Sequence, residues 1–342
     1  MEVIRIATED PKAEQWRILL QYSYPANVRR YFKENYSVDV SKTLEDCITS
    51  CMRQGEAYFV AADKAPLDIS PLLYYYGMTN LLRGAVVLLK QAVPLITEHG
   101  MTLIVSDPKA TRIADVRIQP RNAKTGALHI FSEIFSSNYQ IVDGHTWNVK
   151  EILSLIPELK QEFENCYQSA PPRTLPLEFV HRKVDNHSIK LDRIQRSELK
   201  RYDNFEELIA LVADYSNAYL SPNVTDTHLI LNHRIKGVEI VSHTIRGQRY
   251  LRLGRSDIKD KTTPALLITL LKGLFALGFL SRYHPEQWMP FIKTDETGER
   301  LLIERFIAIC QRAIPNLILN EILHKRVEFV HSIDTTLDFI TK

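Results

Sequence analysis

The segment Pro71–Gln91 constrains the fold more than any other, because it is apolar nearly all round a helix. A helix that is hydrophobic on every face must be covered by neighbours on all sides. Asp68 or Ser70 can cap it, and Pro71 suits its first turn. We therefore predict that this helix lies at the centre of a helical bundle.

Further helices are expected in both terminal parts of the chain, and strands are expected in the middle. The predicted helices are Trp16–Tyr22, Asn27–Tyr36, a helix capped by Ser41 or Thr43 that runs to Ala62, Thr146–Leu155, Pro157–Tyr167, Phe205–Tyr215, a helix capped by Thr262 or Thr263 that runs from Pro264 to Tyr283, Pro285–Phe291, Arg300–Ala313 and Pro315–Val330. The predicted strands are Met101–Val105, Ile113–Ile118, Leu128–Phe131, Leu177–Val184, Ser188–Ile194, Glu239–Ile245 and Arg249–Leu253.

This order predicts an α+β fold that is predominantly helical, a helical bundle with a mixed α/β middle segment. Residues 1–100 form the N-terminal helical part and residues 101–260 the mixed segment. Residues 261–342 form a C-terminal helical part that we expect to pack on the N-terminal helices.

The balance of charge excludes a strong overall attraction to nucleic acid or to an anionic membrane. The chain has 43 basic and 41 acidic side chains and a net charge of +2. A sum this small still permits a local basic patch. The N-terminus has no signal-peptide pattern, and no apolar stretch is long and uninterrupted enough for a confident membrane span. We expect a cytoplasmic protein that does not enter the membrane.

The four cysteines are too sparse for a disulfide framework. Cys47 and Cys51 share one helix face, where they are either small buried apolar side chains or half of a metal site. Zinc normally needs four ligands, and no second pair follows. Phosphate-loop, dinucleotide, zinc-helix and nucleophile-elbow patterns are also absent from the sequence. The sequence therefore predicts no metal and no cofactor.

Polar residues in the central helix mark the first candidate site. Tyr76, Asn80 and Arg83 follow one another at three- and four-residue steps, and His99 lies just beyond the helix. Burying an amide or a guanidinium without partners costs several kcal/mol, so these groups need hydrogen bonds or a ligand. Either they form a pocket that binds a phosphate, a carboxylate or RNA through Arg83, or they form an internal network that braces the bundle.

A second polar cluster follows the next strongly apolar helix and contains Arg282, His284, Glu286 and Trp288. The cations can simply meet the helix dipole, while Trp288 fixes the corner. Alternatively, Arg282 binds a phosphate or a base, and Trp288 or Tyr283 stacks on the ligand. In that interpretation His284 and Glu286 serve as acid and base.

A third candidate is the most basic stretch of the chain, with Arg246, Arg249 and Arg252 around Tyr250. On a strand, Arg246 and Arg252 share a face with Tyr250. Such a face can follow a phosphate backbone, but edge strands also carry charge merely to prevent aggregation.

Three stretches together resemble the YaaC-like proteins of bacteria. They are Pro71–Arg83 with His99-Gly100, Ser281–Trp288 and Pro315–Asn320. The resemblance spans most of the chain and is weakest in the middle. It implies a mainly helical bacterial protein, and it brings no established reaction or catalytic residue.

The run Tyr75-Tyr76-Gly77-Met78 with His99-Gly100 also resembles, more distantly, the HEPN superfamily of helical bundles. That resemblance implies a metal-independent ribonuclease and a homodimer, since HEPN sites are often completed across two chains. The one Arg-x4-His match, Arg182 to His187, lies in a predicted strand and turn rather than in a helix. A fold-level likeness does not by itself transfer function.

These observations leave three functions open and do not decide whether the chain is an enzyme. The favoured one is a binding or regulatory protein that associates with nucleic acid or a partner protein, with a role in bacterial defence or stress. The second is a HEPN-like ribonuclease that uses His99 or His284 as the catalytic group beside Arg83 or Arg282. The third is a small-molecule enzyme with an anion-binding pocket at Arg83.

Overall fold

The structure is a computed structural model that describes residues 2–104, 112–137, 139–141, 144–168, 172–184, 187–199, 228–231, 242–244, 247–252, 264–295 and 297–330. Its helices are α1 (Pro11–Leu19), α2 (Pro25–Tyr36), α3 (Lys42–Lys64), α4 (Ser70–Lys90), α5 (Ala127–Phe135), α6 (Val149–Ser154), α7 (Lys160–Cys166), α8 (Arg196–Leu199), α9 (Leu266–Tyr283), α10 (Pro285–Lys293) and α11 (Glu299–Leu323). Its strands are β1 (Glu2–Ala7), β2 (Met101–Ile104), β3 (Arg117–Pro120), β4 (Trp147–Asn148), β5 (Thr174–Pro176), β6 (Glu178–Val184), β7 (His187–Gln195), β8 (His228–Leu231), β9 (Ser242–His243), β10 (Arg249–Arg252) and β11 (Lys325–Val330).

Helix α4 is the central helix, as its composition predicts. It packs most extensively on α3 and also contacts α9 and α11. Side chains on most of its surface are buried, including Tyr74, Met78, Leu81 and Val87. Helix α3 begins after Ser41, whose hydroxyl accepts a hydrogen bond from the backbone of Leu44. A predominantly helical α+β fold is therefore confirmed, while the predicted domain boundaries stay a prediction.

The two ends of the described chain form a sheet that the sequence analysis missed. Strand β1 pairs in parallel with β11, from Glu2 opposite Lys325 to Ala7 opposite Val330. The prediction of helix through Val330 was wrong, because α11 ends at Leu323 and the next residue, His324, adopts a left-handed conformation (φ 51°). Side chains of β11 alternate about the sheet, and its partner strand comes from the opposite end of the sequence.

The proline within α11 does not divide that helix in two. The prediction placed one helix up to Ala313 and another from Pro315, whereas the structure has one continuous helix from Glu299 to Leu323. Proline removes one backbone donor and usually breaks or kinks a helix. Here Pro315 and both its neighbours, Ile314 and Asn316, are buried against the rest of the protein. Tertiary packing outweighs the lost hydrogen bond.

Other corrections fall in the middle of the chain. The apolar run Leu128–Phe131 was predicted as a strand but belongs to helix α5, because a short apolar run fits either state. Residues Ile113–Asp115 form a 3-10 turn, and the strand expected there begins only at Arg117. The predicted helix from Thr146 begins at Val149, where Asn148 and Glu151 form a capping box.

The strands form small antiparallel sheets apart from the β1–β11 pair. Their orders are β2–β3–β4, β5–β10–β9 and β6–β7–β8. Strands β9 and β10 pair across Gly247, which adopts φ +79°, and this confirms the predicted hairpin. The predicted helix Phe205–Tyr215 and the predicted caps Thr262 and Thr263 lie outside the described residues.

A buried carboxylate joins the middle of the chain to α11. Glu299 is 1% exposed. It accepts hydrogen bonds from the backbone N–H groups of Ile113 (3.0 Å) and Ala114 (2.9 Å). The hydroxyls of Tyr167 (2.6 Å) and Thr297 (2.8 Å) donate to it as well. Because four donors surround it, this charge is compatible with burial.

Among the described residues, two helices, α9 and α11, are long and apolar enough to cross a membrane by length and composition alone. Most of each apolar window is buried within the protein, 78% in α9 and 67% in α11. Such burial is typical of core helices.

Candidate binding cleft

A shallow, open cleft lies where α4 and α9 meet the loop that follows α4. All three elements contribute lining residues, which include aliphatic, aromatic and cationic side chains. The residues are Leu72, Tyr75, Tyr76, His99, Phe275, Gly278, Phe279, Arg282 and Tyr283.

One wall of the cleft is an aromatic row on α9. Phe275, Phe279 and Tyr283 lie four residues apart, so their side chains follow one another along a single face of the helix. Their ring centroids are 5.6 Å and 4.7 Å apart along this row. Burial decreases along it, from Phe275 at 2% exposed to Tyr283 at 53% exposed. The row therefore forms an apolar wall that reaches solvent at the end of the helix.

The backbone around His99 is held in place by the start of α5. The carbonyl oxygens of Glu98 and His99 accept hydrogen bonds from the N–H groups of Ala127 (2.9 Å) and Leu128 (3.1 Å). Gly100 adopts φ +72°, and a side chain there would lie 2.9 Å from the backbone of Gly126. Gly100, next to His99, thus has a structural role, because a residue without a side chain lets the loop approach α5 closely.

The imidazole of His99 is oriented by Tyr75. The Tyr75 hydroxyl and His99 Nδ1 are 2.9 Å apart, and Tyr75 is only 3% exposed. A buried hydroxyl needs an acceptor for its proton, so we assign Tyr75 as the donor and Nδ1 as the acceptor. The ring proton is then on Nε2, for which the structure describes no hydrogen bond. His99 accordingly offers an N–H donor to a ligand in the cleft.

Burial and the nearby charge of Arg282 both lower the pKa of His99 from its ordinary value, against the opposing effect of Glu98. The lowered pKa favours the uncharged form of the imidazole. A neutral imidazole with a fixed tautomer suits recognition of an acceptor atom better than it suits proton transfer.

Arg282 supplies the positive charge of the cleft. Its side chain is exposed. The guanidinium donates a hydrogen bond to the Tyr76 hydroxyl and lies 4.9 Å from the centre of the Tyr283 ring. Within the described ranges, no carboxylate pairs with it. Arg282 is thus held in position by two tyrosines and keeps its charge available to an anion.

The structure brings together three of the predicted residues, Tyr76, His99 and Arg282, in one open cleft. His284 is not among the residues that line the cleft; its ring stacks on Phe279 with the ring centroids 6.0 Å apart, and its Nδ1 is 3.5 Å from a carboxylate oxygen of Glu286.

Trp288 lies in the core instead of at the cleft. It is 1% exposed, and its indole N–H donates to the carbonyl oxygen of Asp68 at 3.1 Å. This contact fixes the corner between α9 and α10 against the start of α4. Of the two aromatic residues predicted to stack on a ligand, Tyr283 has the exposed ring.

Asn80 and Arg83 do not extend the cleft, although they follow Tyr76 on α4. The Asn80 amide donates to the carbonyl oxygen of Tyr76 at 2.9 Å, within the helix itself. Arg83 lies beside Cys47 of α3. The helical spacing is as predicted, but α4 turns Arg83 towards a different neighbour.

The basic hairpin lies apart from the cleft. The Arg252 guanidinium donates to the carbonyl oxygen of Pro264 and lies 3.5 Å from the Thr269 hydroxyl, at the start of α9. Tyr250 is 2% exposed, so its ring is not at the surface. Arg249 is on the same strand β10, and Arg246 lies outside the described residues.

The Arg182–His187 motif was predicted to lie in strand and turn. Arg182 is in strand β6 and His187 begins strand β7, which confirms the predicted strands on either side of the turn.

Sequence reasoning missed the apolar side of the cleft. Tyr75 was noted only within a family motif, and Phe275 and Phe279 were not singled out within the predicted apolar helix that ends at Tyr283. The recurrence of aromatic residues at every fourth position up to Tyr283 was the signal that was available.

The structure is thus a predominantly helical α+β protein with an open cleft lined by aromatic residues, a histidine and an arginine. Residues 20–322 match the family model of the YaaC-like proteins, so the chain belongs to the YaaC-like protein family. No curated protein sequence and no solved structure matches the chain. None of these comparisons shows the HEPN likeness, which stays a prediction.

Proposed function

We propose that this YaaC-like protein binds RNA and that the cleft holds one nucleotide unit of a single strand. The observation that carries the proposal is the Arg282 guanidinium, which has no carboxylate partner among the described residues, beside the exposed Tyr283 ring and in the same cleft as His99. A nucleotide presents an anionic phosphate and a flat base, and the cleft offers one partner for each.

In this proposal Arg282 binds the phosphate and Tyr283 stacks on the base. A guanidinium matches phosphate oxygens with paired N–H donors. Stacking of a base on an aromatic side chain contributes about 1–3 kcal/mol and tolerates any base. The Nε2–H of His99 donates to a phosphate or base oxygen.

The near-zero net charge favours recognition of RNA by the cleft over a general electrostatic attraction of RNA to the protein. With a net charge of +2, the chain has little overall field to gather RNA from solution. Affinity then depends on the cleft, and few phosphates are neutralised. The salt dependence of binding should therefore be shallow, with a log–log slope of about −0.7 for each phosphate contacted.

RNA cleavage is the weaker alternative. A general base at His99 needs a free nitrogen lone pair facing the substrate, whereas the assigned tautomer has a proton on Nε2. The alternative of an anion-binding enzyme at Arg83 has less support, because Arg83 is away from the cleft. Binding of a partner protein in place of RNA stays a prediction. Formation of a homodimer and a role in bacterial defence or stress stay predictions as well.

Fluorescence anisotropy with a short labelled single-stranded RNA tests the proposal. Arg282→Ala should weaken binding about tenfold or more, since a hydrogen bond to a charged group contributes about 1.5–3 kcal/mol. Arg300→Ala is the matched control, because Arg300 is a partly exposed arginine on α11 that pairs with Glu304. The control should bind like the wild type. Equal losses in both variants, or no binding by the wild type, would overturn the proposal.

A further inference from the structure

The aromatic cleft offers hydrogen-bond donors to a ligand and no carboxylate or amide side chain. None of the residues that line it is Asp, Glu, Asn or Gln. The acid that precedes His99, Glu98, does not line the cleft, and its carboxylate accepts a hydrogen bond from the Asn122 side chain. Donors without a competing acid favour a ligand group that is negatively charged and rich in acceptor oxygens.

Tyr76 adds a third donor to those of Arg282 and His99. Its hydroxyl oxygen accepts the hydrogen bond from the Arg282 guanidinium, so its own proton is directed elsewhere. The described part of the chain provides no acceptor for that proton. The Tyr76 ring centroid is 6.4 Å from that of His99. Donors from α4, from the following loop and from α9 are therefore grouped in one part of the cleft.

Helix packing closes the cleft at its floor. Gly278 and Leu72 both line it where α9 lies against α4, and a side chain at Gly278 would be 3.1 Å from Cα of Leu72. Phe275, on the same face of α9, is 2% exposed, whereas Tyr283 at the end of the helix is 53% exposed. A strand cannot pass between the two helices at Gly278, so a ligand enters and leaves on the side of Tyr283.

A phosphate at the end of a strand matches the three donors better than a phosphate within it. A phosphomonoester has three free oxygens, and its second pKa of about 6 gives it a charge of about −1.5 to −2 at pH 7. A phosphodiester within the strand has two free oxygens and a single charge. Each of the three donors can thus meet an oxygen of its own only in the terminal group.

We propose that the cleft binds the end of a single RNA strand through a terminal phosphomonoester. This inference rests on the proposed RNA binding and names the part of the RNA that is recognised. Arg282, Tyr76 and His99 donate to the terminal phosphate oxygens. The Tyr283 ring stacks on the base of the end nucleotide, and the rest of the strand extends into solvent.

Fluorescence anisotropy with RNAs of one sequence and an internal label tests the inference. One RNA carries a 5′-phosphate, one a 3′-phosphate, and one has hydroxyl groups at both ends. One of the phosphorylated RNAs should bind at least about tenfold more tightly than the hydroxyl form, since a hydrogen bond to a charged group changes affinity by that factor or more. The RNA that is preferred identifies the end that enters the cleft.

A second comparison separates recognition of the terminal group from general attraction of charge. A hydroxyl-ended RNA that is two nucleotides longer has a similar added charge but no terminal phosphate. It should bind like the shorter hydroxyl form. A gain equal to that of the phosphorylated RNA would contradict recognition of the end.

Two tyrosine variants test the donor set. Tyr76→Phe removes the hydroxyl and keeps the ring, so it should reduce the preference for the phosphorylated end several-fold. Tyr58→Phe is the matched control, because the Tyr58 ring centroid is 5.7 Å from that of Tyr76 but Tyr58 does not line the cleft. It should leave the preference unchanged. A melting curve confirms that each variant is folded.

The inference and the proposed function fail in different ways. Equal affinity of the wild type for phosphorylated and hydroxyl-ended RNA would refute recognition of the end and leave RNA binding intact. An equal loss of the preference in both tyrosine variants would refute the donor set. Absence of binding to every one of these RNAs would refute the proposed function itself.

Discussion

The cleft and the Glu299 cluster are both polar, but they differ in how fully their charges are satisfied. Glu299 is 1% exposed and accepts four hydrogen bonds from its own chain. Arg282 is exposed, and in the described structure its guanidinium has one hydrogen-bond partner, the Tyr76 hydroxyl. A charge saturated by internal donors acts as scaffold, whereas a positioned charge without a counter-charge can bind a ligand.

The largest effect predicted from this comparison is on stability. Glu299→Ala removes the acceptor for two buried backbone N–H groups and two hydroxyls, so it should lower the free energy of unfolding by about 3 kcal/mol or more. Chemical denaturation measures this change. Variant protein that remains folded should still bind RNA. A loss below about 1 kcal/mol would mean that solvent or other groups replace the carboxylate.

The opposite pattern is expected for Tyr283→Ala. It removes the half-exposed ring at the end of the aromatic row, so RNA affinity should fall by about 1–3 kcal/mol. The free energy of unfolding should change by less than about 0.5 kcal/mol, as for most surface substitutions. RNA titration and urea denaturation of the same preparation separate the two effects. Leu301→Ala, at a similarly exposed apolar position on α11, is the control and should affect neither.

Lys272 sharpens the comparison, because it is buried like Glu299 but has no hydrogen-bonding partner among the described residues. It is 2% exposed, and its Nζ lies 4.1 Å from the Trp147 ring centre and 5.2 Å from that of Tyr139. Burial lowers the pKa of Lys272 from 10.5 to about 7, against the opposing charge of Glu151. The unfolded chain therefore binds a proton here that the folded chain lacks between about pH 7 and 10.5.

Stability should accordingly rise as the pH increases through this range. Lys272→Met should flatten that dependence and raise the free energy of unfolding at neutral pH by about 1–3 kcal/mol, as for other buried charges replaced by apolar side chains. Urea denaturation of the wild type and the variant at several pH values measures the pH dependence and the free energy of unfolding at neutral pH. Destabilisation by Lys272→Met at neutral pH would show that the aromatic rings stabilise the charged lysine.

The smallest predicted effect concerns the orientation of His99. Tyr75→Phe removes the donor to Nδ1 and should lower the free energy of unfolding by about 1 kcal/mol. It should also weaken RNA binding slightly, because the imidazole can then place its proton on either nitrogen. Nitrogen NMR of the His99 ring reports the tautomer. A ring already protonated on Nδ1 in the wild type would contradict the assignment and favour the cleavage alternative.

The sequence predicted the helices well where burial followed a helical period or covered every face, as in α3, α4 and α9. It failed at β11, because the strand depends on pairing with β1 at the other end of the chain. It also failed at α5, where a short apolar run fits either state.

The polar half of the cleft was predictable, since Tyr76, His99 and Arg282 are polar groups within or beside strongly apolar helices. Their convergence was not, because spacing along α4 does not reveal which helix faces each turn. In the structure, Arg83 lies beside Cys47 of α3 and not in the cleft. The aromatic wall was missed because core and cleft residues share the same apolar pattern.

Photocrosslinking with a single-stranded RNA containing 4-thiouridine tests the central claim most directly, because mass spectrometry locates the crosslinked peptide. The account predicts crosslinks to the end of α9, at Phe279–Tyr283, and to the peptide that contains His99. Crosslinks confined to the basic hairpin of β9 and β10, or spread evenly over the chain, would contradict it.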